Sequence, residues 1–305
     1  MANDSSVTVK VPATTSNLGP GFDTLGIALN LHNLIEVRKT KRTQIHITSP
    51  ISEPARGCAT DMLTEAAQLF FCRARRAAFG LEVSLTGDVP IARGLGSSVT
   101  ARLGVVAGLN EITQAGLDRS ILLDLVAELE HHPDNAAPAV FGGFTAAGLV
   151  GESVRCLHRP VSERLSFITL IPRFEVGTEE ARKLVPATFS KADTVHNLNR
   201  AALITAAFMT GDYQALAGLF EDRVHQPYRE ALIPELTKVI RAGERAGAIG
   251  GWLSGSGSTI ICMTLKHSSK IVEAMRGAMP NSEVKILRAE NHGFSVARKK
   301  VRSKG

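Results

Sequence analysis

Apolar and polar positions along this chain alternate in short bursts separated by longer helical patterns. Val7–Val11, Leu34–Arg38, Gln44–Thr48 and Leu81–Thr86 have the period of half-buried strands. The second and third of these predict a pair joined through a basic turn. From Asp61 to Phe79 the apolar positions Leu63, Ala66, Ala67, Phe70, Phe71, Ala74 and Ala78 recur at helical spacing, with Gly80 as the expected stop. Val99–Thr113 is rich in Ala, Val and Leu without Pro and predicts a buried helix. A third helix, Asp118–Glu130, carries Leu122, Leu125, Val126 and Leu129 on one face, and Pro133 ends it.

The second half predicts a strand at Leu165–Ile171 and a helix start at Thr178–Arg182 with Thr178 as cap. Helices are expected near Asn197–Thr210, Tyr213–Phe220 and Ile233–Ala246. The polar cluster Asp222–Arg229 interrupts them. A glycine-rich loop, Gly247–Thr259, runs into an apolar strand, Ile260–Thr264, and a helix (Ser269–Met279) and strand (Val284–Leu287) follow. No internal repeat appears, and a domain boundary is inferred near 150–165.

Composition narrows the class. The 305 residues suffice for two domains, and 44% hydrophobic with 21% charged residues is ordinary for a globular enzyme. No apolar run reaches the length of a membrane span, and the first residues lack the plan of a signal peptide, so a cytoplasmic protein without a membrane partner is expected. The net charge of +6 is local: Arg298, Lys299, Lys300, Arg302 and Lys304 supply most of it. Such a short basic end reads as a frayed, solvated tail, so no nucleic-acid partner is expected. Cys58, Cys72, Cys156 and Cys262 are widely spaced and read as reduced thiols.

The candidate chemistry centres on Pro90-Ile91-Ala92-Arg93-Gly94-Leu95-Gly96-Ser97-Ser98-Val99-Thr100, between a predicted strand and a predicted helix. Gly94 and Gly96 have no side chains to block a ligand, and Ser97 or Ser98 is expected to cap the helix. A helix N-terminus offers free N–H groups and partial positive charge, which suits a phosphate. The Walker pattern is excluded because no Lys ends the loop, and the dinucleotide fingerprint because Val99 stands where its third Gly belongs. Upstream, Pro12–Asp23 contains Gly19-Pro20-Gly21 and is expected to be a loop, with Thr14, Ser16, Asn17 and Asp23 able to converge on a ligand. The bend Glu128–Asn135 concentrates ionisable groups near Pro133. Paired carboxylates close to a phosphate loop suit Mg²⁺, whereas His131 and His132 without Cys argue against zinc. Helical periodicity leaves open whether Glu128 or Glu130 faces the phosphates.

Taken together, Pro12–Asp23, Gly94–Ser98, Glu130–Asn135 and Leu253–Gly257 resemble the GHMP family of small-molecule kinases, with all three of its signature motifs in order. Within that family the first segment, the His132–Asn135 stretch, Thr178–Arg182 and His225–Arg229 look like the homoserine kinase branch. The resemblance implies an α+β fold of two domains, residues 1–160 resembling the second domain of ribosomal protein S5 and residues 161–305 ferredoxin-like. It implies ATP on the loop Pro90–Thr100 and Mg²⁺ on Ser98 and Glu130, the family pattern favouring Glu130. The substrate implied is L-homoserine, with Asn17, Asp23, His132, Arg182 and Arg229 as contacts and Asn135 beside Ser98 and Glu130 at the reacting end. A homodimer is compatible with the resemblance. Forked arginine donors match the substrate carboxylate, and Asn17 and Asp23 can accept from its amino group. Direct in-line transfer to the hydroxyl needs no dedicated base, and the role of Asp134 stays open. Val99, Thr100, Ser258 and His131 depart from the family pattern without removing a proposed ligand. The competing readings are another GHMP kinase acting on mevalonate or a phosphorylated isoprenoid precursor, and a catalytically dead, ligand-binding member.

Overall fold

The computed structural model describes residues 6–41, 44–50, 53, 55–266 and 268–298. The basic residues after Arg298 lie outside them. The first half runs β1 (Ser6–Ser16), β2 (Leu25–Thr40), β3 (Ile45–Ile47), α1 (Ala55–Ala74), β4 (Gly80–Gly87), α2 (Ser97–Thr113), α3 (Arg119–Glu130) and α4 (Ala136–Phe141). A hairpin follows, β5 (Phe144–Val150) and β6 (Ser153–Arg159). The second half contributes β7 (Ser166–Ile171), α5 (Thr178–Lys183), α6 (Lys191–Thr210), α7 (Gln226–Arg229) and α8 (Leu236–Arg245). It closes with β8 (Gly250–Leu253), β9 (Ile260–Thr264), α9 (Ser269–Ala278), β10 (Glu283–Leu287) and β11 (Ser295–Arg298).

Two sheets organise these elements. The larger, seven-stranded sheet runs β11-β1-β2-β4-β3, with the β5–β6 hairpin branching from β2. The other has the order β10-β7-β9-β8. The long strand β2 pairs with β1 along one edge and is shared by two strands along the other: Leu25–Ile27 pairs with β5 and Asn33–Thr40 with β4. Helices α1 to α4 cover one face of the larger sheet, burying Val9, Val11, Ile35 and Val37 against Phe70, Leu103, Val106 and Leu125. A second apolar cluster joins the sheets through Ile27, Phe144, Phe167, Phe208 and Trp252. Trp252 is fully buried, which contributes on the order of 3 kcal/mol for a side chain of this size. The third cluster packs α8 and α9 on the far face of β7 and β9.

Several local expectations are corrected. Pro12–Ser16 is strand, not loop: β1 continues past Pro12 through a register shift at Pro12/Ala13, where a residue without an N–H is tolerated. The loop therefore shrinks to residues 17–24. The stretches 34–38 and 44–48 do not pair with each other, because β4 lies between them, antiparallel to β2 and parallel to β3. Residues 42–43 of the expected turn lie outside the described residues. Helix α1 stops at Ala74 rather than near Phe79, with Arg75 left-handed at φ 50°, and Gly80 instead opens β4. Tyr213–Phe220 forms turns rather than a helix. The glycine-rich segment Gly247–Thr259 contains strand β8, so its loop is residues 254–259. Strands β5, β6 and β11 were not anticipated. β11 returns from the end of the chain to pair with β1.

Candidate active site

The start of α2 is capped by Gly96 in the left-handed region (φ 70°), without a side-chain cap, so neither serine plays the expected capping role. Ser97 and Ser98 instead lie inside the first turn, where backbone N–H groups have no intrahelical acceptor. The two glycines are demanded by packing as much as by clearance. A Cβ at Gly94 would strike the carbonyl of Ser254, and one at Gly96 the hydroxyl of Thr14. The loop is pressed between the end of β1 and the late glycine loop. Thr14 N–H donates to the Leu95 carbonyl (3.1 Å), and Ser254 Oγ donates to the Gly94 carbonyl (2.6 Å).

One turn beyond the loop, Ser98 Oγ donates to Glu130 Oε2 at 3.0 Å. Glu128 points elsewhere and pairs with Arg73 in solvent, which settles the periodicity ambiguity. The other Glu130 oxygen accepts from Arg102 Nη1 at 2.8 Å, and the same nitrogen donates to the Leu129 carbonyl. Arg102 escaped the sequence reading. Its signal was its position four residues after Ser98, on the same face of α2. At the end of α3, His131 adopts φ 66°, the conformation that explains why glycine suits this position.

The bend that follows turns its polar groups inward. Asp134 is buried, and its Oδ1 lies 2.6 Å from His132 Nδ1. Burial opposes charge on both groups. The hydrogen bond and mutual attraction outweigh it, raising the His132 pKa and lowering that of Asp134. Each group therefore favours the charged form of the other. Asn135 accepts from Thr14 Oγ1 (2.7 Å) and donates to Ser16 Oγ (2.9 Å), tying the bend to the end of β1.

Opposite this bend, Arg182 on α5 donates twice to Asp23, both bonds at 2.9 Å. Donating these hydrogen bonds to the Asp23 carboxylate raises the Arg182 pKa against the effect of burial. Thr178 is the first residue of α5; the residue before it, Gly177, occupies the cap position in place of the expected Thr178. Asn17, at φ 69°, accepts from the Asp23 N–H (3.0 Å) and donates to the Gly255 carbonyl (3.3 Å). Arg229 is 2% exposed and also donates to the Gly255 carbonyl (2.9 Å). Burial, together with the charge of Arg182, lowers its pKa to about 10, so it remains a cation at neutral pH.

Most of these side chains line one cleft, whose empty space is about 580 Å³ including its open mouth. Asn17, Asp23, His132, Asn135, Arg182 and Arg229 meet Ser98 and Glu130 there, alongside Ala92, Gly94, Gly96, Ser97 and Val99. The remaining loop residues do not line it. Leu95 is core, and Thr100 is buried, its hydroxyl donating to the Ser97 carbonyl. Ile91 is 61% exposed, and Pro90 flanks it. Arg93 reaches the Pro172 and Arg173 carbonyls and Glu175, fastening the loop to the segment after β7.

Two family models match this chain: the GHMP kinases N-terminal domain over residues 61–143 and the GHMP kinases C-terminal domain over residues 201–281. A homoserine kinase of Moorella thermoacetica is 38% identical over 292 residues, covering 94% of this chain and 99% of the relative. The chain belongs to the homoserine kinase family of GHMP kinases. Another homoserine kinase, from Clostridium beijerinckii, is 40% identical over 84% of this chain and 86% of its own. Among solved structures, a homoserine kinase from Cytophaga hutchinsonii superposes with a TM-score of 0.85 at 25% identity, covering 97% of this chain and 99% of that one. A mevalonate kinase shares the fold with a TM-score of 0.68 at 15% identity, over 93% of this chain and 99% of its own. The two-domain α+β architecture and ATP-dependent small-molecule kinase chemistry follow from membership in this family.

Proposed function

We propose that this chain transfers the γ-phosphoryl group of ATP to the hydroxyl of L-homoserine, giving O-phospho-L-homoserine and ADP. One observation carries the reading. The Ser98–Glu130 pair at the start of α2 and a set of charges suited to a zwitterion, Asp23 with Arg182 and Arg229, share one cleft. We take residues 1–160 as the nucleotide-binding part and 161–305 as the second part, with β11 crossing back to the first sheet.

In this reading the first-turn N–H groups of α2 receive ATP phosphates. Ser98 Oγ and Glu130 Oε2 are hard oxygen donors 3.0 Å apart and partly buried, a set that fits Mg²⁺ rather than a soft metal. Held by these two side chains, Mg²⁺ would supply positive charge that offsets the charge of the ATP phosphates. Glu130 is already oriented for this by Arg102. The substrate carboxylate is received by Arg229 and Arg182, its amino group by Asp23 and the Asn17 side chain, with His132 alongside.

The hydroxyl oxygen forms its bond to phosphorus as the bond from phosphorus to the β-phosphate oxygen breaks, and the hydroxyl proton passes to an oxygen of the transferred phosphoryl group and from there to solvent. Asp134 is committed to His132 and to the Asn135 N–H, which favours direct transfer over a dedicated base. We assign the chain to the cytoplasm; its four cysteines are free, and no helix among the described residues is long and apolar enough to cross a membrane. The test is ADP release with MgATP and L-homoserine, L-threonine, mevalonate or galactose as acceptor. Turnover is expected with L-homoserine, and preference for mevalonate would transfer the chain to another GHMP branch.

A further inference from the structure

The segment between Phe220 and Arg229 contains a buried network that the transfer step does not use. Asp222 accepts from the N–H groups of Val224 (2.9 Å), His225 (2.9 Å) and Gln226 (2.6 Å), and from Asn197 Nδ2 (2.6 Å). It thereby shapes the turn into α7. His225 is completely buried at the centre of that turn. Its Nε2 lies 2.8 Å from the Gly19 carbonyl and 3.4 Å from Asp222 Oδ2. Its Nδ1 lies 3.2 Å from Arg229 Nη1.

These partners determine where the imidazole proton sits. A carbonyl and a carboxylate only accept, so Nε2 carries the hydrogen. A guanidinium only donates, so Nδ1 presents its lone pair. A second proton would set two N–H donors and two cations against each other in a buried site. The groups facing the ring agree. They do so on balance: Asp222 on its own turn and Asp23 on the N-terminal loop favour a second proton, but burial, the largest influence, and Arg229 on α7 oppose it, and the His225 pKa is lowered. Phe22 stacks on the ring with centroids 5.1 Å apart, and the Arg229 guanidinium lies 5.3 Å from the Phe22 centroid.

Arg229 is therefore held from three directions. Nη1 donates to the Gly255 carbonyl and to His225, and Nε to the Ala181 carbonyl (3.4 Å). Nη2 has no protein acceptor among the described residues, and the side chain lines the cleft. We propose that His225 is a positioning residue for substrate recognition: a neutral imidazole that orients Arg229 into the cleft and links it to the Gly19 loop carrying Asn17 and Asp23. The inference rests on Arg229 receiving the substrate carboxylate. His225 touches no reacting atom, so its effect belongs in substrate binding rather than in the chemical step.

Two isosteric variants separate its two bonds. Glutamine places an amide N–H near the Nε2 position and leaves Arg229 without its acceptor. Asparagine places an amide oxygen near Nδ1 and leaves the Gly19 carbonyl without its donor. His225→Gln is expected to raise KM for L-homoserine about tenfold, with smaller changes in kcat and in KM for ATP. His225→Asn is expected to give a smaller rise. A fall in kcat with KM unchanged, or an unaltered KM in His225→Gln, overturns the inference.

Nitrogen NMR of the full-length wild-type protein provides a measurement independent of any variant's folding. His225 should show a protonated Nε2 and a bare Nδ1 between about pH 7 and pH 8, above the ordinary histidine range from which burial lowers it. An Nδ1–H tautomer or an imidazolium in that range overturns it. The underlying reading fails separately. If Arg229→Met weakens L-homoserine and the corresponding amino alcohol without a carboxylate equally, Arg229 is not the carboxylate contact. If Arg229→Met abolishes that discrimination while His225→Gln discriminates like wild type, only the role of His225 falls.

Discussion

The two ends of the cleft are built by different means. At the phosphate end the groups are nearly contiguous: residues 94–99 form the loop and first turn of one helix, and Glu130 arrives from the next helix, 32 residues after Ser98. At the substrate end, Asp23 meets Arg182 across 159 residues, Gly19 meets His225 across 206, and Asn17 meets Gly255 across 238. The phosphate end relies on backbone N–H groups whose direction a helix sets automatically. The substrate end relies on full charges that must be paired when no ligand is bound. One pair, Asp23–Arg182, is half exposed, and the other cation, Arg229, is buried among carbonyls. A binding surface for a universal phosphate can be local, whereas one for a particular zwitterion is assembled from segments that only the fold brings together.

The sharpest break in this comparison is at the phosphate end. Glu130→Gln is expected to reduce kcat/KM by about 10³-fold, the scale of several kcal/mol of lost charge stabilisation at a metal. Direct Mn²⁺ binding measured by electron paramagnetic resonance in the presence of ADP should weaken in parallel. Retained metal binding and turnover would remove Glu130 from the site. At the boundary between the two ends, Asp134→Asn should lower kcat by no more than about tenfold, because the direct mechanism asks it only to orient His132. A loss of several orders of magnitude in stopped-flow phosphoryl transfer would restore Asp134 as a base.

A smaller effect distinguishes the ends by pH. The folded pKa of His132 is raised above 6.5, so its contribution to stability is complete below about pH 6.5 and is lost as pH rises through the raised value. Asp134 is depressed below 3.8; its contribution is present above that value and lost as pH falls through the folded pKa. The difference in Tm between wild type and His132→Gln should therefore be widest at about pH 5 to 6 and narrow toward alkaline pH. A difference that grows with pH would contradict a raised His132 pKa. The smallest change is expected for Arg182→Ala, whose pair with Asp23 is open to solvent. Its stability cost should stay within about 1 kcal/mol in urea titrations, while KM for L-homoserine rises. A larger stability loss would mean that the pair is structural.

How far the chain alone could be read follows the same division. The strand–loop–helix around Gly94 was legible because periodicity, glycine placement and helix-end chemistry all act over a few residues. Helix α3 was legible from its apolar face, while Asp118, read as its first residue, is its cap and accepts from the Ile121 N–H at 2.9 Å. At the substrate end the polar loop marked Asn17 and Asp23, but Arg182 and Arg229 were reachable only through resemblance to a known family, since nothing local marks them as ligand contacts. Arg102 went unnoticed because its importance depends on where α3 delivers Glu130. The edge hairpin β5–β6 was missed because β6 alternates between partly and fully exposed positions, without the buried face that marks a strand.

By itself the sequence determined the glycine turn proposed to bind phosphate and the helices that carry Ser98 and Glu130, because backbone hydrogen bonding and side-chain period are short-range constraints. The tertiary structure decided that Glu130 and not Glu128 faces Ser98, that Gly94 and Gly96 are required by Ser254 and Thr14, and that Asp23 neutralises Arg182. It also decided that His225 meets Arg229 beside the Gly19 loop. Those contacts arise where β1, α5, α7 and the late glycine loop converge. Their geometry depends on how two sheets pack around Trp252 and Phe167, an outcome of the summed burial of many side chains that no local pattern encodes.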